Sequence, residues 1–183
     1  MSAHDLAVAL WRRRDPALLP GAEALLHRLP DDDRDRRRLR WELEATRAHR
    51  RLMALLPLGR PVRVWLDDDL EDRAAPSGWV HVTTAWEAMA LLTGWPVVEA
   101  SFDHDLGDDA RNGRGIDALA YLEELEIGHG VWRWPARITL HSANGAGRDA
   151  MVRLVRSAGR RCAVHEERTP GGKPRFRMAA PEG

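Results

Sequence analysis

Apolar residues in the first 57 positions recur every three or four residues, which is the spacing of one buried helix face. The spacing predicts three helices: one around residues 6–11 that stops before Pro16, one over residues 21–29, and a long one after Pro30. Asp31, Asp32 and Asp33 are expected to cap the long helix. Its apolar stripe consists of Trp41, Ala45, Ala48, Leu52 and Leu55.

The pattern changes after Pro61 to short β-branched runs that alternate with helical segments. The predicted strands are Val62–Leu66, Trp79–Val82, Val97–Phe102, Arg137–His141 and Cys162–His165. The predicted helices are 84–94, 116–127 (stopped by Gly128) and 148–158, and a turn over 169–174 leads into a hairpin strand at 175–178. Such alternation indicates an α/β domain with a five-stranded, mainly parallel sheet, expected in the doubly wound order 2-1-3-4-5.

The two hydrophobic patterns, helical before Pro57 and alternating strand and helix after Pro61, define two regions of the chain. We predict a helical N-terminal extension over residues 1–57 and an α/β domain over residues 61–183 that ends in a β-hairpin. With 44% hydrophobic residues, the chain can bury a core. Cys162 is the single cysteine, which excludes disulfide frameworks and cysteine-based zinc sites. The apolar stretch near the N-terminus is too short to span a membrane, so we expect a cytoplasmic protein with no membrane partner.

Charge is unevenly distributed although the formal net charge is zero. Residues 61–110 contain 11 acidic and two basic residues, whereas both flanking regions have an excess of basic ones. Arginine supplies 27 of the 28 basic residues, and Lys173 is the only lysine. The arginine-rich face of helix 34–51 has two interpretations that stay open: a solvated face of an amphipathic helix, or a surface that recruits RNA.

Polar side chains follow three predicted strands. The first strand ends in Asp67 and Asp68, the third in Asp103, His104 and Asp105, and the fourth in His141, Ser142 and Asn144, as the chain segments 64–69, 101–109 and 139–144 show. In the expected strand order, the first and third strands flank the point where ligands bind. Close carboxylates there require a cation or a raised pKa, and oxygen ligands suit Mg²⁺ or Mn²⁺. Aspartate also follows strands simply because it fits turns and caps helices.

The segments Val64–Asp68, Asp103–Asp109 and His141–Asn144 resemble, in this order, the motifs of the cyclic-phosphate-processing receiver family. That family is a divergent branch of the response-regulator receiver fold and is linked by gene context to RNA-end repair. The resemblance implies a receiver-like (flavodoxin-like) fold over about residues 62–160. It also implies that Asp67 and Asp68 form the metal-binding acidic pair and that Asp103 takes the place of the phospho-accepting aspartate. Asp105 would complete the metal site, and Ser142 would stand where receivers contact the phosphoryl group.

Three departures from an ordinary receiver modify this expectation. The dozen residues between the first two strands are too few for the usual first helix, and a hairpin replaces the last one. The receiver lysine is missing, and Lys173 in the hairpin turn is a poor substitute. The loss of that positive charge makes a phosphorylation switch less favourable.

The site gains two imidazoles, His104 and His141, which suit proton transfer near neutral pH. Strand side chains alternate, so each histidine points away from its neighbouring motif residue unless the chain turns. Catalytic and packing roles therefore both remain open for them. Arg114 or Arg148 could add positive charge, and a loop with Gly107, Gly113 and Gly115 could bend around a phosphate.

Together these features predict a metal-dependent phosphoesterase whose candidate catalytic residues are Asp103, His104, His141 and Ser142. Its substrate would carry a cyclic phosphate, such as a 2′,3′-cyclic phosphate at an RNA end or on a nucleotide. Its metal, Mg²⁺ or Mn²⁺, would bind Asp67, Asp68, Asp103 and Asp105. The alternative is a non-enzymatic receiver-like signalling or adaptor module that binds metal or phosphate and contacts a protein partner through the N-terminal helices.

Overall fold

The computed structural model describes residues 1–31, 33–158 and 160–181. Asp32, one of the three predicted capping residues, lies outside them. The chain divides into two compact units, Met1–Pro57 and Leu58–Gly183. Within the described residues, none of the helices combines the length and the apolar character needed to cross a membrane.

The first unit is helical. Its helices are α1 (Ala3–Arg13), α2 (Leu19–Leu26) and α3 (Arg34–Met53), with a 3₁₀ turn at Pro16–Leu18. Asp33 caps α3, whereas Asp31 pairs with Arg36. The prediction of 21–29 for α2 was wrong at both ends. The helix starts earlier, with a proline in its first turn, where proline is tolerated, and it ends at Leu26 rather than Leu29. Leu55 lies beyond α3 and is 77% exposed, so it is not part of the buried stripe.

Leucine and alanine side chains of α1, α2 and α3 form the core of this unit. The fully enclosed members include Leu10, Ala22, Leu39 and Leu43. Beside them the Glu42 carboxylate is completely buried and pairs with two arginines, Arg14 at 2.9 Å and Arg38 at 3.0 Å. A buried charge of this kind is tolerated only when it is paired, so these contacts tie the end of α1 to α3.

The second unit contains a six-stranded, mainly parallel sheet with helices between its strands, which is the expected α/β architecture. The strands are β1 (Val62–Leu66), β2 (Val80–Val82), β3 (Val97–Phe102), β4 (Arg137–Leu140), β5 (Ala163–Arg168) and β6 (Pro174–Ala179). The first four are parallel in the order β2-β1-β3-β4. The chain between β1 and β2 contains no helix, as its length predicts.

The C-terminal hairpin changes the expected strand order. The predicted order 2-1-3-4-5 was wrong, because β6 inserts between β4 and β5 and is antiparallel to both. The sheet therefore has six strands rather than five plus a separate hairpin. Since β6 pairs Arg175 with Thr139 and Phe176 with Ile138, the hairpin turn lies at the carboxyl end of β4.

Four helices accompany this sheet: α4 (Ala85–Gly94), α5 (Asp109–Asn112), α6 (Gly115–His129) and α7 (Gly145–Ala158). Thr84 caps α4 with Glu87 as predicted. Gly128 does not stop α6; the left-handed residue that ends it is Gly130. Helix α7 starts three residues earlier than predicted because the Asn144 side chain accepts a hydrogen bond from Gly147 N–H and caps the first turn.

Candidate metal and phosphate site

The register of three neighbouring strands builds the site. Leu66, Phe102 and Leu140 are aligned side by side across β1, β3 and β4. The next residue of each strand is therefore placed at the same level, and these residues are Asp67, Asp103 and His141. Their ligand atoms lie within 4.8 Å of one another, and all three residues are buried. The convergence expected of the acidic strand ends is thus present, with His141 as its third member.

Asp67 is fully buried at the end of β1. Its Oδ1 accepts a hydrogen bond from Asp69 N–H at 3.0 Å, and its backbone N–H donates to Val82. Its backbone carbonyl lies 2.8 Å from His81 Nε2. This leaves Oδ2 directed at His141, 3.0 Å from Nε2.

The His141 imidazole bridges two strands. Because a carboxylate only accepts, His141 Nε2–H donates to Asp67, and Nδ1 of the neutral ring accepts from the Ser101 hydroxyl at 2.7 Å. The ring stacks on Trp65 with centroids 4.2 Å apart. Burial lowers the His141 pKa, and the bond to Asp67 only partly opposes this effect. The imidazole ring is therefore uncharged near neutral pH, as a nitrogen ligand for a metal must be.

Asp103 is buried at the end of β3 and has both carboxylate oxygens engaged. Oδ1 accepts from the His104 backbone N–H at 2.6 Å. Oδ2 accepts from Arg73 Nη1 at 2.5 Å, and the same nitrogen is 3.9 Å from Asp67 Oδ2. The guanidinium thus supplies positive charge between the two carboxylates.

Arg73 was not anticipated from the sequence. Its position comes from a loop stabilised by side-chain bonds: Asp69 Oδ1 accepts from the N–H groups of Glu71 and Asp72, and Trp65 Nε1–H donates to the Arg73 carbonyl. The available signal was indirect. Arg73 is one of only two basic residues in the acidic segment 61–110.

A cavity of about 440 Å³, here called the acidic cavity, opens over these groups. Four predicted site residues line this cavity. One of them, Asp103, belongs to the buried Asp67–Asp103–His141 group, and the other three are Asp68, Asp105 and Ser142. Its remaining lining is Asp69, Arg73, Gly107, Ala143 and Asn144. Four carboxylates and one guanidinium therefore face a space that is open to solvent, which is an environment for a cation and a phosphate group together.

Asp68 and Asp105 differ from Asp67 and Asp103 because their side chains are exposed. Asp105 accepts from His104 Nδ1–H at 2.7 Å and from Asn144 Nδ2–H at 2.9 Å. These bonds, chiefly the one from His104, hold the Asp105 pKa below its usual range. Asp105 is thus ionised and fixed at the mouth of the cavity.

The structure does not bring His104 into the cavity. Its ring packs against α7, so closely that a Cβ on Gly147 would lie 2.4 Å from a ring carbon. His104 contacts the site through its backbone and through Asp105 only. Ser142 does face the cavity and is buried, and its hydroxyl accepts from Asn144 N–H at 3.2 Å.

The expected supplementary cations have different positions. Arg114 lies near Asp109 and Asp117 at the start of α6, outside the acidic cavity. Arg148 donates to the Ser142 carbonyl and lines a second cavity of about 500 Å³, here called the basic cavity. Lys173 lines the same cavity. Lys173 lies in the hairpin turn, as predicted, and the insertion of β6 beside β4 brings this turn to the carboxyl end of β4.

The glycine-rich loop has a packing role as well as a lining role. Gly107 has a positive φ of 72° and lines the acidic cavity. Gly115 instead lets α6 approach β3, since a Cβ there would lie 1.7 Å from the Asp103 carbonyl oxygen. Gly115 therefore fixes the backbone that presents Asp103.

A mainly parallel sheet with carboxylates gathered at the carboxyl ends of its strands is typical of the class of α/β proteins that bind a ligand at that edge. Comparison with protein families gives the particular group: a model described as the cyclic-phosphate processing receiver domain matches residues 62–157. The match covers just over half of the chain, and the protein belongs to this family. Comparisons with curated proteins and with solved structures gave no significant match.

The residues present fit a bound metal ion. Asp67, Asp103 and His141 form a buried group that could hold one. Two carboxylates and a neutral imidazole carry two negative charges, and Arg73 balances only one of them, so the site retains charge for a cation. Asp68, also predicted as a ligand from the sequence, is not part of this group and lines the acidic cavity.

Proposed function

We propose that this protein is a metal-dependent phosphoesterase that hydrolyses a cyclic phosphate, such as a 2′,3′-cyclic phosphate at an RNA end or on a nucleotide. The observation that carries the proposal is the buried Asp67–Asp103–His141 group beside a cavity that also presents Arg73 and Ser142. Membership of a family named for cyclic-phosphate processing supports the substrate class. A cytoplasmic location is part of the proposal.

The donor set favours Mn²⁺ alongside Mg²⁺. Mg²⁺ prefers oxygen ligands and retains several waters, whereas a site that includes imidazole also suits Mn²⁺ and other first-row metals. When bound, the metal supplies positive charge to the phosphate oxygens of the transition state. The proposed ligands are Asp67, Asp103 and His141, with Asp68 or Asp105 reached through the cavity.

The chain's own residues have distinct proposed tasks. Arg73 and the Ser142 hydroxyl bind phosphate oxygens, because both line the cavity beside Asp103. Asp68 accepts a proton from the attacking water. The water oxygen bonds to phosphorus, one phosphorus–ribose oxygen bond breaks, and the proton held by Asp68 passes to the departing oxygen through a water in the cavity. The product is a phosphomonoester with a free neighbouring hydroxyl.

The histidines take supporting positions in this proposal. Both ring nitrogens of His141 are engaged by Asp67 and Ser101, so neither is free to exchange a proton with the substrate. We assign His141 instead as a metal ligand that would bind through Nε2 once the Nε2 proton has moved to Nδ1. His104 orients Asp105. Their earlier candidacy as acid and base is thereby replaced by roles in holding carboxylates and metal.

The direct test is hydrolysis of adenosine 2′,3′-cyclic phosphate and of an oligoribonucleotide that ends in a 2′,3′-cyclic phosphate, with Mg²⁺ or Mn²⁺ present. Asp103→Asn should lower kcat/KM at least a hundredfold, since it removes a metal ligand and the partner of Arg73. Asp149→Asn is the matched control, because Asp149 is an exposed carboxylate on α7 outside the cavity linings.

Absence of turnover with both substrates and both metals would overturn the enzymatic proposal. If calorimetry then still showed metal or phosphate binding that Asp103→Asn abolishes, the protein would be a non-enzymatic receiver-like module. The position of Lys173 in the basic cavity rather than beside Asp103 argues against an ordinary phosphorylation switch. Labelling of Asp103 by acetyl phosphate would contradict that argument.

A further inference from the structure

The basic cavity differs from the acidic cavity in the charge of its walls. Three cationic side chains line it, from Arg73, Arg148 and Lys173, against one acidic residue, Asp72. Its other lining residues are neutral: Trp65, His141, Ser142, Ala143, Gly171 and Gly172. Three positive charges around a space of about 500 Å³ favour an anionic ligand.

The fold positions two of these cations independently. Lys173 lies at the end of a tight turn in which Gly172 N–H and Lys173 N–H both donate to Thr169, at 2.8 and 3.1 Å. The antiparallel pairing of β6 with β4 places this turn at the carboxyl edge of the sheet. Arg148 comes from the first turns of α7 and is fixed by its 3.2 Å bond to the Ser142 carbonyl.

The two cavities adjoin. Arg73, Ser142 and Ala143 line both of them, so a ligand held over Asp103 lies directly beside the basic cavity. A single cyclic phosphate carries one negative charge, which Arg73 and a metal ion already balance. The additional cations, Arg148 and Lys173, therefore remain available for a second anionic group of the same molecule.

We infer that the basic cavity is a subsite for a second phosphate group of the substrate, bound by Lys173 and Arg148 while the reacting phosphate lies in the acidic cavity. This inference rests on the proposed function for the identity of the first phosphate. The second phosphate has two chemical sources: the phosphodiester that precedes the terminal nucleotide of an RNA chain, or a 5′-phosphate on a mononucleotide. The Trp65 ring adds an aromatic wall for the attached nucleoside.

Binding of unreactive product analogues tests the subsite without turnover. The probes are adenosine 3′-phosphate with one phosphate, adenosine 3′,5′-bisphosphate, and the dinucleotide ApA bearing a 3′-phosphate. With Mn²⁺ present, isothermal calorimetry should show at least one two-phosphate ligand binding roughly tenfold more tightly than adenosine 3′-phosphate, as expected for one added charged contact. A gain for the dinucleotide alone identifies the phosphodiester as the source, a gain for the bisphosphate alone the 5′-phosphate, and a gain for both means that the subsite takes either.

Substitutions assign the gain to the basic cavity. Lys173→Met and Arg148→Met should each reduce the tenfold advantage to about threefold or less, whereas Arg153→Met should retain it. Arg153 is the matched control because it is exposed on α7 and lies outside both cavity linings. Lys173 is exposed, and circular dichroism of its variant verifies that the fold is retained.

Two results would overturn the subsite: equal affinity for all three probes, or an advantage that survives in both cavity variants. These results are separable from failure of the proposed function. If cyclic phosphates are hydrolysed but the second phosphate gives no gain, only the subsite is wrong. If the gain is present and depends on Lys173 but no cyclic phosphate is hydrolysed, the subsite stands and the reaction does not.

Discussion

At the scale of single residues, Arg73 is the most consequential side chain that the sequence did not disclose. Its guanidinium contacts Asp103 at 2.5 Å and lies 3.9 Å from Asp67, so it competes with any cation for the same negative charge. It also faces the cavity where a phosphate would bind. The two roles have opposite consequences for metal binding and for catalysis.

We therefore predict that Arg73→Gln tightens Mn²⁺ binding roughly tenfold while lowering kcat at least tenfold. Calorimetry measures the first quantity and steady-state hydrolysis the second. Arg63→Gln serves as the control, because Arg63 is exposed on β1 and makes only a loose ion pair, with 3.8 Å between its Nε and the Glu99 carboxylate. Parallel loss of metal affinity and of kcat would show that Arg73 simply maintains the site's structure.

In the proposed metal site, Ser101 would act through His141, to which its hydroxyl is hydrogen-bonded. For His141 Nε2 to bind a metal, its proton must move to Nδ1. The Ser101 hydroxyl can then accept a hydrogen bond from Nδ1–H, because a hydroxyl group both donates and accepts. Ser101→Ala should weaken Mn²⁺ binding by about tenfold or more, as for other groups that orient metal-binding histidines. Thr139→Val removes the hydroxyl at the paired position of β4, where it contacts Arg175, and should leave the affinity within about twofold. A similar loss in both variants would contradict the role of Ser101.

The residue scale also shows how far sequence reasoning reaches. The convergence of Asp67 and Asp103 could be predicted from the sequence, because each directly follows a short apolar strand and parallel strands end at one edge. The sequence prediction gave His141 a catalytic role, and only the structure adds it to them as a third candidate ligand. Arg73 could not, since it reaches the site from an irregular loop fixed by Asp69 and Trp65. Which side of the chain His104 faces also depends on the turn after β3, which alternation alone does not determine.

At the scale of secondary-structure elements, helix α6 has two glycines with opposite packing. A Cβ on Gly115 would lie 1.7 Å from the Asp103 carbonyl oxygen, whereas one on Gly128 would lie 3.3 Å from the carboxylate at the end of the Glu124 side chain. Gly115→Ala must therefore displace α6 from β3. Gly128→Ala replaces a glycine inside the helix, which lowers the loss of backbone conformational entropy on folding.

Urea unfolding should show Gly115→Ala destabilised by about 2 kcal/mol or more, as for other forced overpacking, with weakened Mn²⁺ binding. The Gly128→Ala control should be neutral or stabilised by about 0.5 kcal/mol. Equal stability of the two variants would mean that α6 does not hold the Asp103 backbone.

The sequence predicted that the chain ends in a β-hairpin, but not that β6 of this hairpin lies between β4 and β5. The turn over 169–174 was recognisable from Gly171 and Gly172, and β6 follows it as expected. Its insertion beside β4 depends on long-range pairing that no local pattern encodes. That pairing is why Lys173 reaches the basic cavity.

The arginines of α3 bear on RNA recruitment. Several of them are engaged within the first unit: Arg38 with buried Glu42, Arg47 with Glu23 and Glu44, and Arg36 with Asp31. These pairs account for part of the positive charge by stabilising the helices themselves. They favour a structural role for that face over RNA binding.

At the scale of the whole molecule, the chain consists of two compact units, and we make one stability prediction for each of them. In the first unit, Glu42→Ala would leave two buried guanidinium groups without their carboxylate. The expected loss is about 3 kcal/mol, with faster amide hydrogen exchange in α1 and α3. Glu44→Ala, which removes a more exposed carboxylate of the same helix, should cost less than about 1 kcal/mol. Equal losses would show that burial of Glu42 is not what matters.

In the second unit, a saturating metal should protect the backbone where β1, β3 and β4 end. At a concentration one hundred times its Kd, a ligand stabilises the folded state by about 2.7 kcal/mol. Hydrogen exchange with and without Mn²⁺ should show slowed amides around 66–69, 102–105 and 140–144. Asp67→Asn should remove this protection. Uniform or absent protection would place the metal elsewhere.

The hairpin turn beside the site has a consequence for protein engineering. The segment from Thr169 to Lys173 contributes Gly171, Gly172 and the Lys173 side chain to the basic cavity but carries none of Asp67, Asp103 or His141. Exposed turn tips accept insertions and exchanges with little effect on the scaffold behind them. Grafting alternative turns between β5 and β6 should thus retune substrate range while the reacting centre stays intact.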